Sequence, residues 1–213
     1  MSKKKSDRAY SVSNVITKKF YPLAFEGKFE ASYGKPDKSF SAMFYGDSSN
    51  GKTEAAIQFA KYLTKFGKVD YNSLEQGLSA TMRDAIERNN MEACENTFRL
   101  LDRMPFNKLI ERFSKSKSAD FLIVDSVQYL RITKAQYYQL KELMLEKKKG
   151  IVWISQASGK KPKGALADDI RFDVDIKNWV EGFKVFPDGR LNGGGEPFIV
   201  YPERAAKYWN EIV

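Results

Sequence analysis

Apolar residues fall along this chain in two alternating rhythms. Ser41-Ala42-Met43-Phe44-Tyr45, Phe121-Leu122-Ile123-Val124 and Ile151-Val152-Trp153-Ile154 are short continuous apolar runs, the pattern of strands buried on both faces. Lys68 to Leu74 and Thr97 to Leu101 read as two further strands. Between them apolar positions recur at helical spacing. Glu54 to Phe66 carries Ala56, Ala60 and Leu63; a helix runs from about Ser79 to Asn89; another starts near Phe106 behind Pro105; Lys134 to Lys149 carries Leu140, Leu143 and Met144. Gly67 and Gly150 are stop signals, and Lys115-Ser116-Lys117-Ser118 is a solvated break. Strand and helix in alternation predict an α/β fold with a mostly parallel central sheet flanked by helices.

The two ends are less regular. Phe172 to Phe186 reads as a strand region, and Pro187 to Pro197, with Gly193-Gly194-Gly195, as a turn before a final strand at Phe198 to Tyr201. Gly159-Lys160-Lys161-Pro162-Lys163-Gly164 is excluded from regular structure, being either a solvated turn or a phosphate-contacting loop. Before residue 38 the first ten or so positions read as a loose tail. Phe20, Tyr21, Phe25, Phe29 and Tyr33 are then too frequent for a disordered linker and predict an extra strand or helix on the core, with a turn at Gly34-Lys35-Pro36-Asp37. The expected division is 1–38, tail and accessory segment, and 39–213, core.

Gly46-Asp47-Ser48-Ser49-Asn50-Gly51-Lys52-Thr53 fits G-x-x-x-x-G-K-[ST] at every defining position and stands between a predicted strand and a predicted helix. That is a cradle for nucleotide phosphates. Its backbone N–H groups converge on an anion, Lys52 can reach the outer phosphates, and the Thr53 hydroxyl is suited to Mg²⁺. Asp125 ends a doubly buried strand downstream of this loop and is the natural carboxylate partner for the same Mg²⁺. Glu75 and Gln76 stand at the C-terminal end of the second strand, where open α/β sheets hold ligands, and Gln156 ends the strand expected beside Asp125.

Composition narrows the chemistry. At 213 residues the chain predicts one domain; 42% hydrophobic and 30% charged residues are ordinary for a soluble protein, and no apolar run has the length of a membrane span. Met1 to Arg8 is basic but lacks the apolar segment of a secretory signal, so a cytoplasmic location is expected. Cys94 is the single cysteine and histidine is absent, which excludes an intramolecular disulfide, a zinc site and a histidine triad. A net charge of +9 favours a polyanionic partner, nucleic acid first.

Taken together the motifs resemble the RecA-like core P-loop ATPases: RecA-type recombinases, the bacterial RadA repair protein and hexameric replicative helicases of the DnaB type. Gly46 to Thr53 matches their phosphate loop, Ser73-Leu74-Glu75 their second-strand motif, Ile123-Val124-Asp125-Ser126-Val127-Gln128 their Walker B segment and Ile154-Ser155-Gln156 their strand-end glutamine. In size the chain is similar to the minimal phage recombinases. The resemblance implies ATP and Mg²⁺ as cofactors, Glu75 activating water, and Gln156 sensing the γ-phosphate. It further implies DNA contact by Lys160, Lys161 and Lys163 in the second DNA loop and Arg131 in a shortened first loop, a ring or filament of identical subunits, and a basic finger at Arg190 or, in competition, Lys184. The implied function is a Mg²⁺-dependent ATPase acting on DNA, single-stranded by preference, in recombination, repair or replication of a phage or mobile element. An ATP-dependent assembly switch that docks a partner protein is the alternative, and a metabolite kinase the third option.

Overall fold

Strand β4 (Phe121–Asp125) has no room for water on either face, and each of its five side chains is buried. The computed structural model describes residues 9–190 and 195–210. β4 lies between β2 (Val69–Ser73) and β5 (Gly150–Ser158). β3 (Phe98–Asp102) is the edge beyond β2, while β1 (Ser41–Gly46), β7 (Ile176–Glu181), β8 (Lys184–Gly189) and β9 (Phe198–Ile199) continue beyond β5. From β3 to β7 every neighbouring pair is parallel; β8 and β9 are added antiparallel. The sheet is therefore the mostly parallel one that the alternation predicts.

Helices cover both faces. On one, α2 (Gly27–Tyr33), α3 (Lys52–Leu63) and α4 (Ala80–Arg88) pack over β1 and β2; on the other, α5 (Phe106–Ser114), α7 (Lys134–Glu146) and α8 (Ala165–Asp173) enclose Trp153, Leu122 and Val124. Phe59 of α3 is met by Phe25 and Phe29, ring centroids 6.0 and 5.4 Å away, so the segment before β1 sits in the same apolar core. α4 starts on Ser79, whose hydroxyl accepts the Met82 N–H, and α7 on a reciprocal Thr133–Gln136 capping box. Shorter pieces are α1 (Val12–Ile16), α6 (Val127–Leu130) and α9 (Pro202–Trp209).

Two expectations change. The lysine-rich Gly159 to Gly164 stretch is partly regular: β6 (Lys161–Pro162) folds back antiparallel on Ala157 and Ser158 of β5. Backbone hydrogen bonding, rather than side-chain alternation, makes that strand. Phe172 to Phe186 is not one strand region, because Phe172 belongs to α8 and the rest is the β7–β8 hairpin, turned at Gly182 and Phe183 with φ of 52° and 60°. The expected tail up to residue 8 and the 191–194 part of the expected glycine turn lie outside the described residues.

Gly46 closes β1 where β7 crosses it, and a Cβ there would stand 2.1 Å from the Val180 carbonyl oxygen. Gly46→Ala must push β1 from β7, and we expect a loss of about 1–3 kcal/mol in denaturant unfolding, the usual cost of overpacking. An unchanged midpoint would show that the strands yield freely at this point.

Candidate functional site

The sheet register decides which loops meet. Gly46 lies beside Gln156, Asp125 beside Ile154, and Ser73 beside Asp125, so the C-terminal ends of β1, β5, β4 and β2 form one rim. The Gly46 to Thr53 loop leads from that rim into α3, with Ser49 and Gly51 in the left-handed region at φ 62° and 96°. Its amides open the N-terminus of a 12-residue helix. Asn50 anchors the loop to the β7–β8 turn: its Oδ1 accepts the Gly182 N–H at 2.8 Å and its carbonyl the Phe183 N–H at 3.1 Å. Gly51 also lacks space, since a Cβ would come within 2.9 Å of the Phe183 ring. Lys52 donates to the Asp47 carbonyl at 2.7 Å; burial lowers its pKa, opposed by the charges of Glu75, Asp125 and Asp47.

Asp125 is buried at the end of β4, and the Tyr71 hydroxyl donates to its Oδ2 at 2.6 Å. Burial pushes its carboxyl up to about 6; the Tyr71 bond, Lys52 and Thr53 act in the opposite sense, while Glu75 adds to the rise. Tyr71 in turn is held well above its ordinary value by burial and by this carboxylate. The Leu74 and Glu75 amides donate to the Asp125 carbonyl at 2.6 and 3.1 Å, which fixes the turn that presents Glu75. The Glu75 carboxylate is loosely held, 3.5 Å from both Ser126 Oγ and Gln156 Nε2. Thr53 and Asp125 are hard oxygen donors of the kind Mg²⁺ takes, and among the described residues no cluster of three acidic, Cys or His side chains forms a protein-only cage. That set fits a Mg²⁺ that completes its shell with water and phosphate oxygens.

These residues line a cavity of about 370 Å³, together with Phe183, Arg88, Tyr201 and Arg204, which nothing in the sequence singled out. Arg88 is held by Glu54 through two nitrogens at 3.1 and 2.8 Å, and its guanidinium lies 5.6 Å from the centre of the Tyr201 ring. Arg204 lies 5.1 Å from the same ring. Gln128 is another residue without a sequence signal. Its Nε2 donates to Ser155 Oγ and to the Lys163 carbonyl, both at 2.8 Å, and its Oε1 accepts the Gln156 amide at 3.3 Å.

The other predicted residues lie outside the cavity. Lys160, Lys161 and Lys163 are exposed on the β5–β6 hairpin, with the Lys160 ammonium 6.0 Å from the Trp179 ring centre. Arg131 is exposed at the end of α6, whose first turn reaches the hairpin through Gln128. Arg190 is at the opposite end of the sheet: Gly189 pairs with Ile176, which pairs with Ala42 at the start of β1, and the Arg190 amide donates to the Asp175 carbonyl at 3.0 Å. Lys184 pairs with Glu181 near the phosphate loop and places its ammonium 5.2 Å from the Trp209 ring centre.

Comparison with solved structures defines the class. The chain has the fold of a RecA-like P-loop ATPase core. It is similar to a KaiC-like protein from the hyperthermophilic archaeon Pyrococcus horikoshii, at 16% identity and a TM-score of 0.60, covering 85% of this chain and 94% of that one. It is also similar to the ATPase domain of a DnaB-family helicase, at 17% identity and a TM-score of 0.56, covering 79% and 83%. No protein-family model and no curated protein matches the sequence.

The Asp125 pKa of about 6 exceeds the ordinary carboxylate value of 3.8, so folding costs free energy once the group must ionise. Sign and window follow. This group's contribution falls as pH rises from about 4 through 6 and is constant above, by about 3 kcal/mol at most. Asp125→Asn, which keeps an acceptor for Tyr71, should therefore raise the melting temperature of the ligand-free protein relative to wild type at pH 7.5 and much less at pH 5. An equal difference at both pH values would place the cost of Asp125 elsewhere.

Proposed function

We propose that this chain is a Mg²⁺-dependent ATPase that acts on single-stranded DNA, in recombination, repair or replication of a phage or mobile element, as an assembly of identical subunits. The observation that carries the hydrolytic part is the convergence of the phosphate loop, Asp125, Glu75 and Gln156 on one rim. The α3 N-terminus and Lys52 bind the phosphates, and Thr53 and Asp125 would hold Mg²⁺, whose charge neutralises the phosphate oxygens. Glu75 orients the attacking water and takes up its proton at the carboxylate, and Gln156 bonds to the γ-phosphate. Tyr201, between the Arg88 and Arg204 guanidinium groups, offers an aromatic face to the base. The net charge of +9 and the exposed Lys160, Lys161 and Lys163 support a phosphate-backbone partner.

The test is ATP hydrolysis with and without single-stranded DNA. Lys52→Ala should abolish turnover, and Glu75→Gln should keep ATP binding while lowering kcat by about 10² to 10⁴, the worth of a positioned general base. Hydrolysis by a folded Lys52→Ala protein would remove the ATPase reading. ATP-dependent capture of a protein partner, indifferent to DNA, would move the function to an assembly switch.

Arg190 lies too far along the sheet to serve its own subunit's phosphate loop, so in this reading it serves a neighbour's. A guanidinium arriving in trans contributes about 10³ to 10⁵ in rate. Mixing Arg190→Ala with Lys52→Ala protein should then restore activity that neither has alone, because a mixed interface pairs one intact loop with one intact finger. No rescue in co-assembled mixtures would leave Lys184 as the residue to test.

A further inference from the structure

The cavity at the edge of the sheet is larger than the nucleotide cavity, about 600 Å³, and shares no residue with it. It is walled by the start of β2, by β3, by α5 and by the 115–119 segment, and it gathers Lys68, Arg99, Lys108, Arg112, Lys115 and Lys117 against three carboxylates, Asp70, Asp102 and Glu111. Each carboxylate is already engaged. Asp70, nearly buried, takes both arms of Arg112 at 2.6 and 3.0 Å; Glu111 takes Lys108 at 2.9 Å and Lys115 at 3.6 Å; Asp102 takes Arg103 at 3.3 Å. Lys68 and Lys117 are exposed and form no ion pair among the described residues, and the Arg99 guanidinium bonds only the Phe98 and Glu95 carbonyls. The cleft therefore holds a surplus of positive charge that nothing in the chain neutralises.

We infer that this cleft binds the phosphate backbone of a single-stranded nucleic acid, as a second site apart from the β5–β6 hairpin; the inference rests on the nucleic-acid reading above. The form of the free donors selects the ligand. The Arg112 fork, which would match a carboxylate in two contacts, is consumed by Asp70, and what remains is lysine ammonium, a point charge that suits phosphate oxygen. Lys108, Arg112 and Lys115 follow one another at i, i+4 and i+7, a basic row about 10 Å long beside the cleft. Met104, Pro105 and Ala119 give the wall apolar contact, and no aromatic side chain lines it, so the contact is with the backbone and is indifferent to sequence.

The experiment compares fluorescein-labelled oligothymidylate binding, over a salt series, by wild type, by Lys68→Ala/Lys115→Ala/Lys117→Ala and by Lys160→Ala/Lys161→Ala/Lys163→Ala. The cleft variant should bind about tenfold or more weakly at low salt and lose up to about two units of the log–log salt slope, at roughly 0.7 per phosphate contact. Its DNA-free ATP hydrolysis should equal that of wild type. An unchanged slope in the cleft variant, with a reduced slope in the hairpin variant, would overturn the cleft site and leave the DNA reading standing. No salt-dependent binding by wild type would overturn both. Binding of polyglutamate, lost in the cleft variant whose oligothymidylate affinity is unaltered, would overturn the inference in favour of an acidic polypeptide. Charge reversal at Lys68→Glu/Lys117→Glu is the control for a triple variant that misfolds.

Discussion

A carboxylate kept out of water must be balanced by what surrounds it, and the site at the head of this sheet is built around that requirement at Asp125. Tyr71 meets it from below with a 2.6 Å hydrogen bond, Lys52 from the side with its charge, and Thr53 with its hydroxyl. Each comes from a different element, so the balance exists only while β2, β4 and α3 keep their register. The price is a carboxyl that resists ionisation, which a bound cation would relieve. Strand packing and site electrostatics are thus one arrangement.

The phosphate loop is held from the other side. Asn50 receives two backbone donors from the β7–β8 turn, and Phe183 of that turn fills the space over Gly51. Gly182 bonds in turn to the Trp209 ring nitrogen of α9 at 3.0 Å. The antiparallel extension of the sheet therefore braces the loop, and α9 braces the extension and brings Tyr201 and Arg204 to the cavity mouth.

Much of this was legible in the chain. A strand buried on both faces is a continuous apolar run, so β1, β4 and β5 announce themselves, and the residue following each run faces the cleft by geometry alone. Phe59 has three aromatic neighbours in α2 and its lead-in, Phe25, Phe29 and Tyr33, and the density of aromatics before β1 foretold that packing. What could not be read is tertiary. Glu54, Arg88 and Tyr201 form one stack although 147 positions separate the first from the last, and no local period links them. β6 escaped because its pairing is carried by the backbone of Ala157 and Ser158, to which the Lys-Pro-Lys side chains give no sign. Phe172 was misassigned because α8, only nine residues long, shows little more than one apolar repeat, at Ala167 and Ile170.

Gln156 has two attachments of unequal strength, and the inequality carries meaning. Its side chain touches Glu75 at 3.5 Å, a contact an incoming phosphate oxygen can replace, whereas its backbone carbonyl accepts the Lys163 amide at 2.7 Å. Gln128 closes the ring by joining Ser155, Gln156 and Lys163 through one amide group. The lysine hairpin is hence tied firmly to a strand end whose own side chain is loosely committed. A ligand that recruits that side chain acts on a residue already bonded to the hairpin, and β5, buried from Gly150 to Ser155, offers no slack to absorb a shift on the other side.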